Sequence, residues 1–313
     1  MACYVCSREA PLVLGCGCSE FVHWPCFRDA AAGAWSRCAR CGLRYGGALA
    51  MLAALEWVRS SASATHEAQL LAAGNHASEL ASAGEYAAAR AAYASVRARV
   101  SDTTRRSVAF FLDIDIALAR VDILDGAYAR AADALRGIVN ELTLGDRSSG
   151  HAARRARGLW AEAISLDAEH SEMPEKKRQR EFRRALAMFA DLGETLERVR
   201  SSRGTLDEER PRLAYEIALN DARAANTLLA SGDIDAALAR LERAMDDTEH
   251  LGDHALVLSL RHAHGICLAR LGEADDAEDE IRGVVEAYTL LFSDDHPLVS
   301  RAESDVRSIA ATR

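Results

Sequence analysis

Seven of the eight cysteines of this 313-residue chain lie before residue 42, and one histidine stands among them. Three pairs in this group are separated by two residues, and a fourth pair brackets a single glycine. A two-residue gap lets both side chains bind one tetrahedral zinc ion at about 2.0–2.3 Å, and glycine permits the sharper bend of the shorter gap. Eight ligands complete two closed four-coordinate sites, so the cluster predicts two structural Zn²⁺ ions. In chain order the candidate ligands are Cys3, Cys6, Cys16, Cys18, His23, Cys26, Cys38 and Cys41.

Disulfide bonds and a catalytic zinc are the other uses of such a cluster. Disulfides persist in oxidising compartments, but the sequence shows no basic and apolar leader, with Cys3 standing where one would begin. This pattern predicts the cytosol or the nucleus, where thiols stay reduced. A catalytic zinc keeps one position open for water and needs a general base, whereas protein ligands fill every predicted position here.

The ligand order and the residues around the central pair, Phe21-Val22-His23-x2-Cys26-Phe27, resemble the RING-CH (RING-variant) finger. The PHD finger shares this order, but its usual aromatic residue lies two places before the seventh ligand, whereas Trp35 lies three places before it. The resemblance implies a cross-brace fold over residues 1–45, in which the first and third ligand pairs share one ion. It assigns the first zinc to Cys3, Cys6, His23 and Cys26, and the second zinc to Cys16, Cys18, Cys38 and Cys41.

The same resemblance raises the question of ubiquitin ligase activity. RING-type ligases contact a conjugating enzyme through an apolar residue just before the second ligand, and Val5 stands there. Trp35 is a second candidate contact, or it fills the small core of the finger together with Trp24. Three positions that carry Trp, Pro and Arg in many such ligases hold other residues, namely Ala30, Ala39 and Gly42. The sequence therefore leaves enzyme activity open, and it predicts no catalytic residue because a RING ligase supplies no nucleophile.

From residue 66 onward a motif recurs in which glycine stands five residues before an alanine. The clear copies are Gly84 with Ala89, Gly126 with Ala131, Gly232 with Ala237 and Gly272 with Ala277, and a weaker copy contains Ala185. Twelve residues before the alanine of the clear copies stands a small residue: Ala77, Ala119, Ala225 or Gly265. Four residues after all five alanines stands a large apolar one: Tyr93, Leu135, Phe189, Leu241 or Ile281. This spacing predicts pairs of helices that cross at small residues, with large residues filling the gap to the next pair.

The motif resembles the tetratricopeptide (TPR) repeat. Glycine spacings of 42 and 40 residues exceed the usual length of about 34 and are similar to the longer-helix repeats of kinesin light chain. The segment Ser293-Asp-Asp-His296-Pro297 resembles the helix start of those repeats. The middle pair departs from the pattern, with a first helix expected over 152–168 and an extended connection after it. The predicted domains are a finger (1–45), a connecting helix and joint (46–65), and TPR-like repeats (66–313).

The resemblances together imply a mostly α protein: a two-zinc finger, then an all-α solenoid of about five helix pairs and a capping helix over 297–311. The net charge of −9 argues against nucleic acid as a partner, and no apolar run is long enough for a membrane span. The first helices of such solenoids line a groove. By repeat position, the candidate groove residues are Asp113, Arg120, Asn226 and His262.

The predicted function is a zinc-binding adaptor whose groove binds a protein or peptide partner. A RING-type ubiquitin ligase whose repeats select the substrate is the main alternative. A PHD-like reader of histone tails is the weaker one.

Overall fold

The computed structural model describes residues 13–14, 21–22, 24–30, 35–36, 45, 47–100, 105–144, 150–202, 210–249, 254–292, 294 and 296–311. The chain divides into two compact units. Unit 1 comprises residues 1–92 and 245–313, and unit 2 comprises residues 93–244. Unit 1 therefore joins the two ends of the chain, whereas unit 2 is one continuous segment.

Unit 1 begins with two short antiparallel strands, β1 (Val13–Leu14) and β2 (Phe21–Val22). Helix α1 (Trp24–Ala30) follows, then α2 (Gly47–Ser60), a 3-10 turn (Ser61–Ser63) and α3 (His66–Ser82). Helix α3 starts after Thr65, whose Oγ1 accepts the amide of Ala68 at 3.3 Å. This bond satisfies one of the amides that a helix start leaves without a partner.

Ten further helices complete the described part of the chain, and the boundaries between the units fall inside α4 and α10. They are α4 (Tyr86–Arg99), α5 (Arg105–Leu124), α6 (Tyr128–Leu144), α7 (His151–His170), α8 (Glu175–Arg200), α9 (Arg210–Ser231), α10 (Ile234–Thr248), α11 (Ala255–Leu271), α12 (Ala274–Leu291) and α13 (Pro297–Ala311). Among the described helices, none combines the length and the apolar composition that crossing a bilayer requires.

Four of the helix pairs are joined by the same tight glycine turn. Gly84, Gly126, Gly232 and Gly272 all have φ between 79° and 92°, a range that favours glycine because it has no Cβ. At each turn the glycine amide donates to the carbonyl three residues earlier, and the next amide donates to the carbonyl five residues earlier. This pair of bonds closes the carbonyl end of a helix. The predicted helix–turn–helix units at these four glycines are confirmed.

The middle pair, α7 and α8, lacks this turn. Helix α7 ends at His170. Residues 171–174 form an extended segment that ends at Pro174, directly before α8. The Ser171 hydroxyl donates to Asp167 Oδ1 at 2.8 Å, which closes the end of α7. The expected extended connection is present, although α7 runs two residues past the predicted end at residue 168.

The small and large residues of the motif lie where the repeat pattern predicts. The motif alanines Ala89, Ala131, Ala185, Ala237 and Ala277 are completely buried, as are Leu135, Phe189, Leu241 and Ile281. At Gly265 on α11, a Cβ would lie 2.6 Å from Ile281 Cγ1 on α12, closer than two carbon atoms can approach without a shift. Helices of a pair therefore approach each other through residues with little or no side chain.

Each unit has its own apolar core. In unit 2, residues from α5, α6 and α7 pack around Leu135, while α7, α8 and α9 pack around Phe189. In unit 1, residues from α11, α12 and α13 pack around Ile281 and Tyr288. Helix α13 covers the apolar face of α12, which fits the capping role predicted for residues 297–311.

Candidate partner-binding face and zinc ligands

Three first helices of unit 2, α5, α7 and α9, are neighbours, with α7 in contact with both of the others. Arg154 Nε lies 3.0 Å from Glu216 Oε2, and Thr227 Oγ1 lies 2.9 Å from Ser165 Oγ. Both contacts join residues 62 apart. Because this separation is constant along the two helices, α7 and α9 run in the same direction. We call the solvent-facing side of α5, α7 and α9 the unit 2 face.

One end of this face is organised around Glu216 of α9. Its carboxylate lies 2.9 Å from His151 Nδ1 and 3.0 Å from Arg154 Nε, both on α7. Arg212, one turn earlier on α9, lies 3.2 Å away. Burial would raise the pKa of Glu216, but the hydrogen bonds from His151 and Arg154 and the Arg154 charge outweigh it and hold the pKa at about 2. The carboxylate is therefore ionised at neutral pH and ties α7 to α9.

Arg223 of α9 crosses to α7 near the middle of the face. Its Nε lies 2.8 Å from Glu162 Oε2. The guanidinium passes over Gly158, where a Cβ would lie 3.1 Å from Nη1. On the other side of α7, Arg155 Nη1 lies 3.6 Å from Asp113 Oδ1 of α5. The unit 2 face is therefore lined by polar groups that bridge neighbouring first helices.

Three of the four predicted groove residues lie on first helices of unit 2, and their groove role stays a prediction. Asp113 and Arg120 are seven residues apart on α5, about two turns and hence on one side of the helix. Asn226 is exposed on α9. The fourth, His262, lies on α11 in unit 1, where its Nε2 lies 2.9 Å from Asp305 Oδ2 of α13. The structure thus groups Asp113, Arg120 and Asn226 within unit 2, while the groove role of His262 stays a prediction.

Sequence reasoning missed Arg155, Glu162 and Arg223, the residues that connect α5, α7 and α9. A signal for two of them was present. Adding the 42-residue glycine spacing to Asp113 and Arg120 leads to Arg155 and Glu162, which carry the opposite charges. Arg223 could not be found this way, because the long middle pair changes the spacing to 62 residues.

Of the eight predicted zinc ligands, only Cys26 lies among the described residues, on α1 and partly buried. The others, and the candidate contact Val5, lie outside the described residues: Cys3, Cys6, Cys16, Cys18, His23, Cys38 and Cys41. Within the part of the chain that the structure describes, no group of three or more His, Cys, Asp or Glu residues could hold a metal ion. The two zinc sites and their ligands therefore stay predictions.

The residue after Cys26, Phe27, is the centre of an aromatic cluster. Its ring stacks on Trp24 at 5.6 Å and meets Trp35 and Tyr45 edge-on at 6.3 and 5.1 Å. Leu49 and Ala53 of α2 complete the cluster. Trp35 and Trp24 thus pack in the core of the N-terminal region. A contact between Trp35 and a conjugating enzyme stays a prediction.

No family model matches the sequence, and no curated protein matches it either. Among solved structures, the nearly identical TPR-like repeats of a kinesin light chain protein from Podospora anserina match with TM-score 0.46 and 17% identity, over 72% of this chain and 97% of theirs. A second structure of those repeats matches with TM-score 0.45, the same identity and the same shares of each chain. BtubC (BKLC) of P. vanneervenii matches with TM-score 0.47 and 15% identity, over 84% of this chain and 90% of its own. The repeat architecture described above rests on the chain's own turns and buried alanines, not on these likenesses.

Proposed function

We propose that this protein is an interaction adaptor. Its helical repeats bind a peptide or protein along the unit 2 face, and its first 45 residues form a two-zinc finger that provides a second protein contact. The observation that carries the proposal is that α7 lies against both α5 and α9 and runs parallel to α9. We propose that Asp113 and Arg120 of α5 and Asn226 of α9 contribute to the binding surface of these helices.

The unit 2 face has the properties of a preformed binding surface. The bridges from Glu216 and Arg223 to α7 connect α9 to α7 at two points. A partner therefore would not have to order these helices on binding, which lowers the entropic penalty of association. Asn226 offers both a donor and an acceptor for a peptide backbone, and Arg120 offers five donors in a planar group.

Selection from a random peptide display library tests this role. Peptides selected on the wild-type chain should bind the double variant Arg120→Ala/Asn226→Ala about tenfold or more weakly, as central interface residues do. The control is Arg136→Ala: Arg136 is exposed on α6 and paired with Asp133 of the same helix. Equal binding to the double variant, or a larger loss in the control, would place the peptide site elsewhere.

The zinc part of the proposal is supported by the ligand count and by the position of Cys26. This residue precedes Phe27, whose ring packs on Leu49 of α2. Zinc bound at Cys26 would therefore stabilise the packing of α1 on α2. Metal analysis of the purified chain should return about two zinc ions per molecule. Cys26→Ser should lower that number, whereas Cys267→Ser, at a buried position on α11, should not. A wild-type value near one or zero would refute the assignment.

A RING-type ubiquitin ligase is the second candidate, favoured by the apolar Val5 before the second predicted ligand. In such a ligase the finger would orient a charged conjugating enzyme towards a substrate lysine, and the repeats would select that substrate. Autoubiquitination with a panel of conjugating enzymes should then depend on Val5 and be lost in Val5→Ala and Cys38→Ser. A flat response across the panel, with zinc content intact, would leave the adaptor role alone.

A further inference from the structure

The corner between α12 and α13 rests on the end of α3, within unit 1. His296, directly before α13, has its Nε2 2.8 Å from the carbonyl oxygen of Ser82, the last residue of α3. Cγ of Pro297 lies 3.2 Å from the position that a Cβ on Gly84 would occupy. These contacts connect residues 214 positions apart in the chain. The C-terminal helix is thus attached to the first helix pair through its initial residues.

The bonds of the His296 ring require its neutral form. Nδ1 accepts the amide of Leu298 at 3.2 Å and so caps the start of α13. Because Nδ1 is the acceptor, Nε2 carries the proton and donates it to the Ser82 carbonyl. The ring also stacks on Phe292, with centroids 4.1 Å apart and planes 12° apart. One neutral imidazole therefore caps α13, binds α3 and packs on the end of α12.

We propose that His296 is a pH-sensitive latch, which holds the start of α13 against α3 while its ring is neutral and releases it when the ring is protonated. A proton on Nδ1 would point at the amide of Leu298, so the cap acceptor would be lost and two donors would face each other. The charged ring would also have to stay partly buried beside Phe292, away from water.

The surroundings of the ring favour release on acidification. Burial lowers the pKa of His296, and the Ser82 carbonyl opposes this shift only in part. The charged side chains along the adjoining elements are Glu79 on α3, Glu85 in the following turn, Asp294 before the ring and Arg301 on α13. Asp295, directly before His296, lies outside the described residues. None of the four described side chains is among the groups that shift the pKa of His296. Since the folded pKa is lowered, the stabilisation is complete above the ordinary value of 6.5 and decreases as the pH falls below it.

Release of the latch would expose the apolar face that α13 covers. Val299, Ala302 and Ile309 of α13 are buried against α12. A second histidine, His262 of α11, contacts α13 through Asp305. Burial lowers the pKa of His262 too, against the raising influence of Asp305. A variant that changes His296 alone keeps this second contact, so it isolates the latch.

Amide hydrogen exchange of the full chain, read by mass spectrometry, tests the latch at about pH 7.5 and about pH 5.5. After correction for intrinsic rates, peptides from α13 should exchange severalfold faster at the lower pH, at most about tenfold for one histidine. In His296→Asn most of this dependence should be lost, because asparagine caps a helix without titrating, and the remainder belongs to the contact of His262 with Asp305. His296→Asp, another capping residue, replaces it if the asparagine variant does not fold.

The matched control is His66→Asn, at an exposed histidine that starts α3 in the same unit. This variant should keep the pH dependence of the wild type. Three results would overturn the proposal: α13 exchange in the wild type that does not change with pH, an unchanged dependence in both His296 variants, or loss of the dependence in the His66 control.

Discussion

Unit 1 and unit 2 use the same helix–turn–helix repeat, and both contain arginine–carboxylate bridges between helices, but unit 1 also has histidines that cap helix starts. In unit 2, arginines bridge to carboxylates: Arg154 to Glu216, Arg223 to Glu162 and Arg155 to Asp113. In unit 1, neutral histidines start two helices: His254 Nδ1 accepts the amide of Leu256 at 3.1 Å, and His296 caps α13. One repeat thus tolerates two kinds of polar contact.

The two kinds of contact respond to acid in different pH ranges. Burial lowers the pKa of His254 to about 4, so its stabilisation of unit 1 is complete above 6.5 and is lost as the pH falls towards 4. The pKa of Glu216 is held at about 2 against its own burial by His151 and Arg154. Its stabilisation of unit 2 is complete above the ordinary value of 4.5 and is lost only as the pH falls towards 2. Mild acid should therefore weaken unit 1 first.

The largest expected effect comes from Gly47→Val in unit 1. Gly47 has φ of 57°, and a Cβ there would collide with the backbone carbonyl of Leu291 at the end of α12. We expect the free energy of unfolding of unit 1 to fall by about 3 kcal/mol, because the strained backbone and the clash add together. Amide exchange should accelerate in α2 and α12 and stay unchanged in α7. The control Gly74→Ala lies in α3 with open space around it. Similar effects of the two variants on α12 would contradict this account.

Glu216→Gln should weaken unit 2 and leave unit 1 unchanged. The substitution leaves Arg154 and His151 without their carboxylate. Because the site is only partly accessible to water, we expect the free energy of unfolding of unit 2 to fall by about 2 kcal/mol at neutral pH. The remaining stability of unit 2 should then depend less on pH between about 4.5 and 2. Denaturant unfolding followed by exchange of α7 and α9 peptides measures both effects. The control is Asp133→Asn, at an exposed ion pair on α6. If this control lost as much stability as Glu216→Gln, a special role of Glu216 would be contradicted.

The double variant His254→Asn/His296→Asn should make the pH response of unit 1 resemble that of unit 2. In the wild type, the free energy of unfolding of unit 1 should fall by about 1–2 kcal/mol between neutrality and about pH 5. Because asparagine keeps a cap acceptor but does not titrate, most of this fall should be absent in the double variant. Exchange of α11 and α13 peptides across this range provides the measurement. A fall that persists in the double variant would assign the acid response to other groups.

The smallest effect concerns two helix glycines, one in each unit. Gly265→Ala in unit 1 would press on Ile281 and on the Ala277 carbonyl, whereas Gly158→Ala in unit 2 would meet the ends of Arg223 and Leu192. Long side chains can move aside, and alanine favours a helix. We therefore expect a loss of about 1 kcal/mol for Gly265→Ala and nearly none for Gly158→Ala. Thermal unfolding of both variants measures the two losses of stability. A larger loss for Gly158→Ala than for Gly265→Ala would contradict this prediction.

Much of the repeat fold was predictable because its signals are local. A glycine with positive φ directly after the last helical residue closes the carbonyl end of a helix, and the turn at Gly84 depends only on residues within five positions. The size pattern around Ala89 or Ala277 likewise follows from helix periodicity. Repeat position assigned Asp113 and Arg120 to α5 and Asn226 to α9, and their groove role stays a prediction. It could not lead to Arg223, because the pairing of Arg223 with Glu162 depends on the irregular length of the middle pair.

The sequence by itself determined the helix pairs, their turns, the small residues between them and the spacing of eight candidate zinc ligands, because each depends on neighbours along the chain. Only the tertiary structure decided that unit 1 joins both ends of the chain and that Ser82 binds His296. It also decided that Glu216 lies between two α7 side chains, His151 and Arg154. Such contacts depend on how far each helix pair advances the next, and that advance is set by packing over tens of residues.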